Sequence, residues 1–499
     1  VLVAAGGLAA LGAARAAAAA APMGKMPIDQ YQAYDSLGLA ELVAKGDVSP
    51  RELLEAAITR LEVADTKLNC IAARLYDHGR KQIADGLPKG PFTGVPFLLK
   101  DLSVDLGGVA TGSGSRFFRD NVAAADSTVV ARYKKAGLVI FGKTTTPELG
   151  LTGTTESVAH GQTRNPWNLD LTAGGSSGGA GAAVAASIVP MANASDGAGS
   201  IRTPASCCGV FGLKPSRARV PLGPAKLESW NGLGTVHAIT RSVRDNAALL
   251  DVSAGADLGD PYAAPPPARP FRQEVGADPG KLRIALVLTP TSGSAVDPVC
   301  VAAARDAAKL CETLGHIVEE KLPPLDHAAL NAGMLATLSV STALALDARA
   351  AKLGRAVTEA DVEPVTWYFY RQGKATSALA YAAARAAFDQ AGRVMAEFQR
   401  TYDVILSPTL AKPPVKLGLL SLSPASFDDY VREVSTFGPF TAIANICGQP
   451  AMSVPLYWSP DGLPIGVMFA GRSGDEATLF RLAGQLETAR PWFNRRPPV

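Results

Sequence analysis

An α/β fold is predicted by three features of the sequence. Strand-like apolar runs alternate with segments of helical periodicity along most of the chain. Hydrophobic residues make up 47% against 19% charged, enough to bury a sheet on both faces. One long stretch, 325–400, carries helical signals and no strand run, as a helical cap or insertion would.

Taken in order, 36–70 has apolar residues at helical spacing, and Ser49-Pro50 opens its second helix. "GPFTGVPFLLKDL" gives a short strand ending at Lys100. "STVVARYKKAGLVIFGKTTTPELG" reads as a helix, a turn at Gly137 and a strand. "NPWNLDLTA" is a poor strand. Further on, "KLRIALVL", a helix over 297–315, "YDVILSPT" and "AMSVPLYW" continue the alternation, while the proline-rich 255–271 reads as a surface connection. Residues 1–22, fourteen apolar residues followed by Arg15 and an alanine run, read as the remnant of an export signal. A periplasmic or secreted location is therefore expected, with a cytoplasmic one as the alternative. Residues 23–499 are expected to form one domain that includes the cap.

Composition also excludes. A net charge of +3 over 499 residues, with no basic stripe, gives nucleic-acid binding no electrostatic support. The six cysteines and five histidines show no metal-ligand spacing, so no metal and no cofactor is expected. No membrane span is expected.

The segment 172–209, "TAGGSSGGAGAAVAASIVPMANASDGAGSIRTPASCCG", is rich in glycine, alanine and serine, with only Asp196 and Arg202 charged. It fails as a dinucleotide fingerprint, since no strand leads into it and Val184 stands where the third glycine belongs. No Gly-Lys-Ser/Thr follows for a phosphate loop. Gly174-Gly175-Ser176-Ser177-Gly178 fits G-x-S-x-G, yet no histidine has a triad setting.

The segment as a whole resembles the amidase signature family. The resemblance is carried by "GGSSGG", "GAAVAAS", Asp196 through Pro204 in the pattern D-x-x-G-S-[IV]-R-x-P, and "GLKP". "GVPFLLKDL", "KTTTPELG", "TRNPWN", "CGQPAMSVP" and "GLPIGVMFAG" extend it, in the family's order, over roughly 36–490. The resemblance implies a central mixed sheet flanked by helices and a Ser–cis-Ser–Lys triad at Ser200, Ser176 and Lys100. Ser200 is then the nucleophile, Ser176 the proton relay on a cis peptide bond after Gly175, and Lys100 the base. Backbone N–H groups of Gly197, Ala198, Gly199 and Ser200 are implied as the oxyanion hole. Ala198 departs from the family's usual Gly-Gly-Ser. Ser177, Asp196 and Arg202 take supporting positions. For Lys100 the plainer reading is a strand-end ion pair with Asp101, and for Asp196 and Arg202 an ordinary ion pair.

A serine acyl-enzyme acting on a small-molecule amide is the implied activity, with the oligomeric state left open, a homodimer included. The cap is the expected pocket wall, with Trp367-Tyr368-Phe369-Tyr370 as aromatic anchors. That wall suits small neutral amides, cyclic ones such as the 6-aminohexanoate cyclic dimer included, over charged linear oligomers. Family members with this cyclic preference carry a substrate-contacting cysteine in the cap, whereas this chain has none between Cys311 and Cys447. The rival readings are a glutamyl-tRNA amidotransferase A subunit and, from another class, an exported solute-binding protein.

Overall fold

The computed structural model describes residues 26–499, so the signal-like segment 1–22 lies outside the described residues. Early helix formation follows the sequence closely. The helix Pro50–Leu68 begins with a reciprocal capping box, in which the Ser49 side chain accepts from the Glu52 N–H and Glu52 accepts from the Ser49 N–H. Pro50 occupies the first turn, where its missing N–H costs nothing.

Eleven strands form one sheet: β1 (Ile71–Arg74), β2 (Pro96–Lys100), β3 (Val139–Thr144), β4 (Met191–Asp196), β5 (Phe211–Lys214), β6 (Thr235–Thr240), β7 (Arg283–Leu286), β8 (Ile317–Glu320), β9 (Val404–Pro408), β10 (Ala451–Trp458) and β11 (Pro464–Ala470). Their spatial order is β1-β3-β2-β4-β6-β5-β10-β11-β9-β7-β8. The sheet is mixed. β2 runs parallel to both β3 and β4, β7 runs parallel to β8 and β9, and the remaining pairs are antiparallel. A strand with parallel neighbours on both sides is covered on both faces, and every residue of β2 is buried. The strands expected from the sequence around 96–100, 139–144, 283–286, 404–408 and 451–458 are all present.

One reading needs correction. Asn168–Thr172 does form a strand, but it pairs with Arg164–Asn165 in a separate two-stranded ribbon outside the main sheet. Its alternate residues are exposed, which is why its apolar pattern is thin.

The cap is helical as expected, built from His327–Leu353, Pro364–Ala375 and Ala378–Phe398. His327–Leu353 is long and apolar enough to cross a bilayer, and here it packs along the other two cap helices. The segment 255–270 has no helix or strand, in keeping with its prolines.

Candidate active site

Three pieces of chain meet at the C-terminal ends of the parallel strands β2 and β4. β2 delivers Lys100, whose side chain is wholly buried. Its Nζ donates to Ser176 Oγ at 2.7 Å and to Ser195 Oγ at 3.0 Å, and its backbone N–H is held by Asn193 Oδ1 at 3.2 Å. The neighbouring Asp101 turns to Lys143, 3.2 Å away, so the strand-end pair between Lys100 and Asp101 does not form. Burial lowers the Lys100 pKa to about 7, against the opposing pull of the Asp196 charge.

Ser176 follows a cis peptide bond from Gly175. Ser177 ties this loop to its neighbours: its Oγ donates to the Ser195 carbonyl at 3.1 Å, and its N–H donates to the Ser200 carbonyl at 3.3 Å. The helix Gly178–Ala185 that follows is buried on every side, a placement that only glycine, alanine and valine side chains would fit this closely.

The loop bearing Ser200 is built on Asp196. One carboxylate oxygen accepts from the Gly199 N–H at 2.7 Å and the other from the Ile201 N–H at 3.0 Å. Arg202 grips the same carboxylate through Nε and Nη2 at 3.0 and 2.9 Å, and spends its other donors on the Thr441 carbonyl and Asn445 Oδ1. Both partners are fully buried. Burial alone would raise the Asp196 carboxyl, but the Arg202 and Lys214 charges and the Asn445 amide hold it well below the usual carboxylate range. The ordinary ion pair is thus present, and it shapes the turn that carries Ser200. Gly199 has φ +134°, and a Cβ there would stand 2.5 Å from Thr441 Oγ1, so only glycine serves.

Of the four N–H groups expected to face an oxyanion, Gly199 must be removed, because its N–H points inward to Asp196. Those of Gly197, Ala198 and Ser200 donate to no protein group among the described residues. Ser176, Gly197 and Ser200 all line one cavity of about 130 Å³.

The cavity's walls correct a second expectation. From the cap only Ser341, Thr342 and Ala345 reach it, and the aromatic side chains on it are Phe118 and Trp230. Trp367 instead stacks on Tyr370 and Tyr368 packs on Phe427, while Trp367 and Phe369 are absorbed into two separate apolar clusters. Tight helix packing accounts for these rings. An apolar run cannot reveal which helix face it lies on without the packing partner.

Ser195, Ser103, Asn193, Thr441 and Asn445 belong to the site and were not singled out from the sequence. Ser103 Oγ lies 3.2 Å from Ser195 Oγ. Asn193 and Ser195 did carry a signal, since polar residues at spacing two in "MANASD" point a polar face inward on a buried strand. Thr441 and Asn445 lie some 240 positions from their partners and had none.

The family profile described as Amidase matches residues 52–480. The 6-aminohexanoate-cyclic-dimer hydrolase of Pseudomonas sp. (strain NK87) is 39% identical over 487 residues, covering 95% of this chain and 97% of that one. A solved structure of 6-aminohexanoate cyclic dimer hydrolase complexed with substrate superposes with a TM-score of 0.89 at 38% identity, over 94% of this chain and 99% of that one. A bacterial aryl acylamidase structure of the amidase signature family superposes with a TM-score of 0.83 at 28% identity, over 92% and 96%.

Proposed function

This chain belongs to the amidase signature family and is a hydrolase of carbon–nitrogen amide bonds, and from that premise we propose that it opens small neutral amides, the 6-aminohexanoate cyclic dimer among them, through an acyl-enzyme on Ser200. The observation that carries the reading is the contact between the buried Lys100 amine and Ser176 Oγ, beside Ser200 in one cavity. A lysine with its pKa lowered to about 7 offers a neutral amine near neutral pH. In this reading it takes a proton from Ser176, which takes one from Ser200 as Ser200 Oγ attacks the amide carbon. This relay requires the two serine hydroxyls to come within hydrogen-bond distance of each other when substrate is bound.

The tetrahedral oxyanion is received by the N–H groups of Gly197, Ala198 and Ser200. One such donor contributes about 3–4 kcal/mol to the transition state. The relay then runs backwards, Ser176 protonating the leaving nitrogen, and water releases the acyl group by the same route. Asp196 and Arg202 hold the loop's shape and take no proton.

Cyclic substrates are supported by the similarity to the cyclic-dimer hydrolases across nearly the full chain and by a cap wall of small uncharged side chains, Ser341, Thr342 and Ala345. The test is fluorophosphonate labelling of wild type and Ser200→Ala, followed by kcat/KM for the cyclic dimer, a neutral aryl amide and glutamine. The reading expects labelling at Ser200 alone and the cyclic dimer as the best substrate. Glutamine as the best substrate would turn the assignment toward amidotransferase chemistry, and labelling that survives Ser200→Ala would remove the nucleophile.

A further inference from the structure

Trp230 sits in a conformation its side chain does not favour. Its φ is +51°, and Asn231 and Gly232 follow at +56° and +81°. A bulky aromatic residue in the left-handed region is a true outlier, and it persists only where its surroundings over-determine it. Here they do. Arg217 Nε binds the Gly232 carbonyl at 2.8 Å, Asn445 Nδ2 binds the Leu233 carbonyl at 3.1 Å, and Arg385 of the cap reaches Asn231 Oδ1 at 3.2 Å. The Leu233 N–H closes the turn on the Trp230 carbonyl at 3.1 Å.

The indole is thereby laid against Gly197. A Cβ built on Gly197 would stand 2.5 Å from Trp230 Cε3 and 2.7 Å from Cζ3. Trp230 also packs against two apolar clusters that join body and cap residues, one with Leu151 and Val365 and the other with Leu233, Leu330 and Phe388, so it lies at the seam between body and cap. Its place on the cavity wall lies next to a backbone N–H of the proposed oxyanion site.

We propose that Trp230 is a specificity-determining residue: its indole face is the apolar surface on which the alkyl segment beside the scissile carbonyl packs. Glycine at 197 is the matching half of the arrangement, since any side chain there would displace the ring. The proposal rests on the Ser200 reading above, because the carbonyl is placed by those N–H groups.

The experiment measures kcat/KM for straight-chain primary amides from acetamide to hexanamide in wild type, Trp230→Phe and Trp230→Ala. The expected result is a hexanamide-to-acetamide ratio about tenfold lower in Trp230→Ala, with Trp230→Phe in between. A double-mutant cycle adds a second readout. Gly197→Ala should lower kcat/KM at least tenfold in the wild-type background and distinctly less in Trp230→Ala, where the ring is gone. An unchanged ratio in both Trp230 variants, or equal losses from Gly197→Ala in both backgrounds, overturns the proposal. Absence of fluorophosphonate labelling at Ser200 in wild type would overturn the nucleophile reading instead, and the chain-length ratio would still judge Trp230.

Discussion

Lys100 Nζ and Ser176 Oγ lie 2.7 Å apart, with the lysine at 0% and the serine at 2% exposure. A base in this position works only when neutral, so kcat/KM should fall tenfold per pH unit below an inflection near 7, where Lys100 takes up its proton. Lys100→Arg keeps a cation that cannot deprotonate and should lose at least about 10³-fold at pH 8, with no acid limb at 7 in what remains. An unchanged acid limb in that variant would show that another group titrates.

The same burial carries a cost in stability, whose sign is opposite to that of an ion pair. The Lys100 pKa is about 7 in the folded chain and about 10.4 unfolded. Between these values the unfolded chain holds the extra proton, so stability rises with pH across that window, and below 7 the penalty is fully present. Relative to Lys100→Met, the wild type should lose about 3 kcal/mol between pH 9 and pH 6, at about 1.36 kcal/mol per pH unit over the two units down to 7. Denaturant melts of both proteins at the two pH values check this. A difference that stays constant with pH would mean that Lys100 is charged throughout.

Ser195 should tune this titration. Its hydroxyl accepts from Lys100 Nζ at 3.0 Å and so favours the charged amine. Removing it in Ser195→Ala should move the acid limb toward lower pH by roughly one unit, since a hydrogen bond to a charged group contributes about 1.5 kcal/mol. A pH–rate profile that moves upward would reverse the assignment of donor and acceptor.

What was legible in the sequence, and what was not, divides by the range over which the signal acts. Strands such as Pro96–Lys100 and the capping box at Ser49 are set by local patterning and composition, which a single chain displays. The segment carrying Ser176 and Ser200 stood out by its local run of glycine, alanine and serine, and the roles of the two serines came from its resemblance to the amidase signature family. The Thr441 and Asn445 contacts to Arg202 depend on packing between distant pieces, and nothing local requires them. The same limit misassigned Trp367 and overlooked Trp230, whose importance appears only when its ring is seen against Gly197. Gly199 likewise looked like an oxyanion donor until its N–H was found on Asp196.

Asp196 and Arg202 form the most deeply buried charge pair in the site, and breaking it should be costly. Asp196→Asn leaves the guanidinium without its counter-charge and should destabilise the fold by about 3–5 kcal/mol. Activity should fall further than that loss alone implies, because the Gly199 and Ile201 N–H groups lose their anionic anchor. Chemical denaturation and kcat, measured at a temperature where the variant remains folded, separate the two effects. Wild-type stability in Asp196→Asn would show that the pair is dispensable to the turn.

The cap's part in substrate choice can be tested by one residue and its neighbour. Ala345 lines the cavity from the long cap helix, whereas Leu344, one position earlier and about 100° round the helix, is 65% exposed and off the cavity lining. A cavity of about 130 Å³ has little room for an added ring, and overpacking a formed wall either excludes substrate or shifts the helix. Ala345→Phe should therefore lower kcat/KM for the cyclic dimer at least tenfold more than for acetamide, through KM rather than kcat, since Lys100, Ser176 and Ser200 are untouched. Leu344→Phe adds the same ring at an exposed position off the cavity lining and should leave the ratio of the two substrates unchanged. Equal losses for both substrates in Ala345→Phe would mean that the added ring disturbs the serine loops, and unchanged kcat/KM for both would mean that the cap stands away from the substrate during turnover.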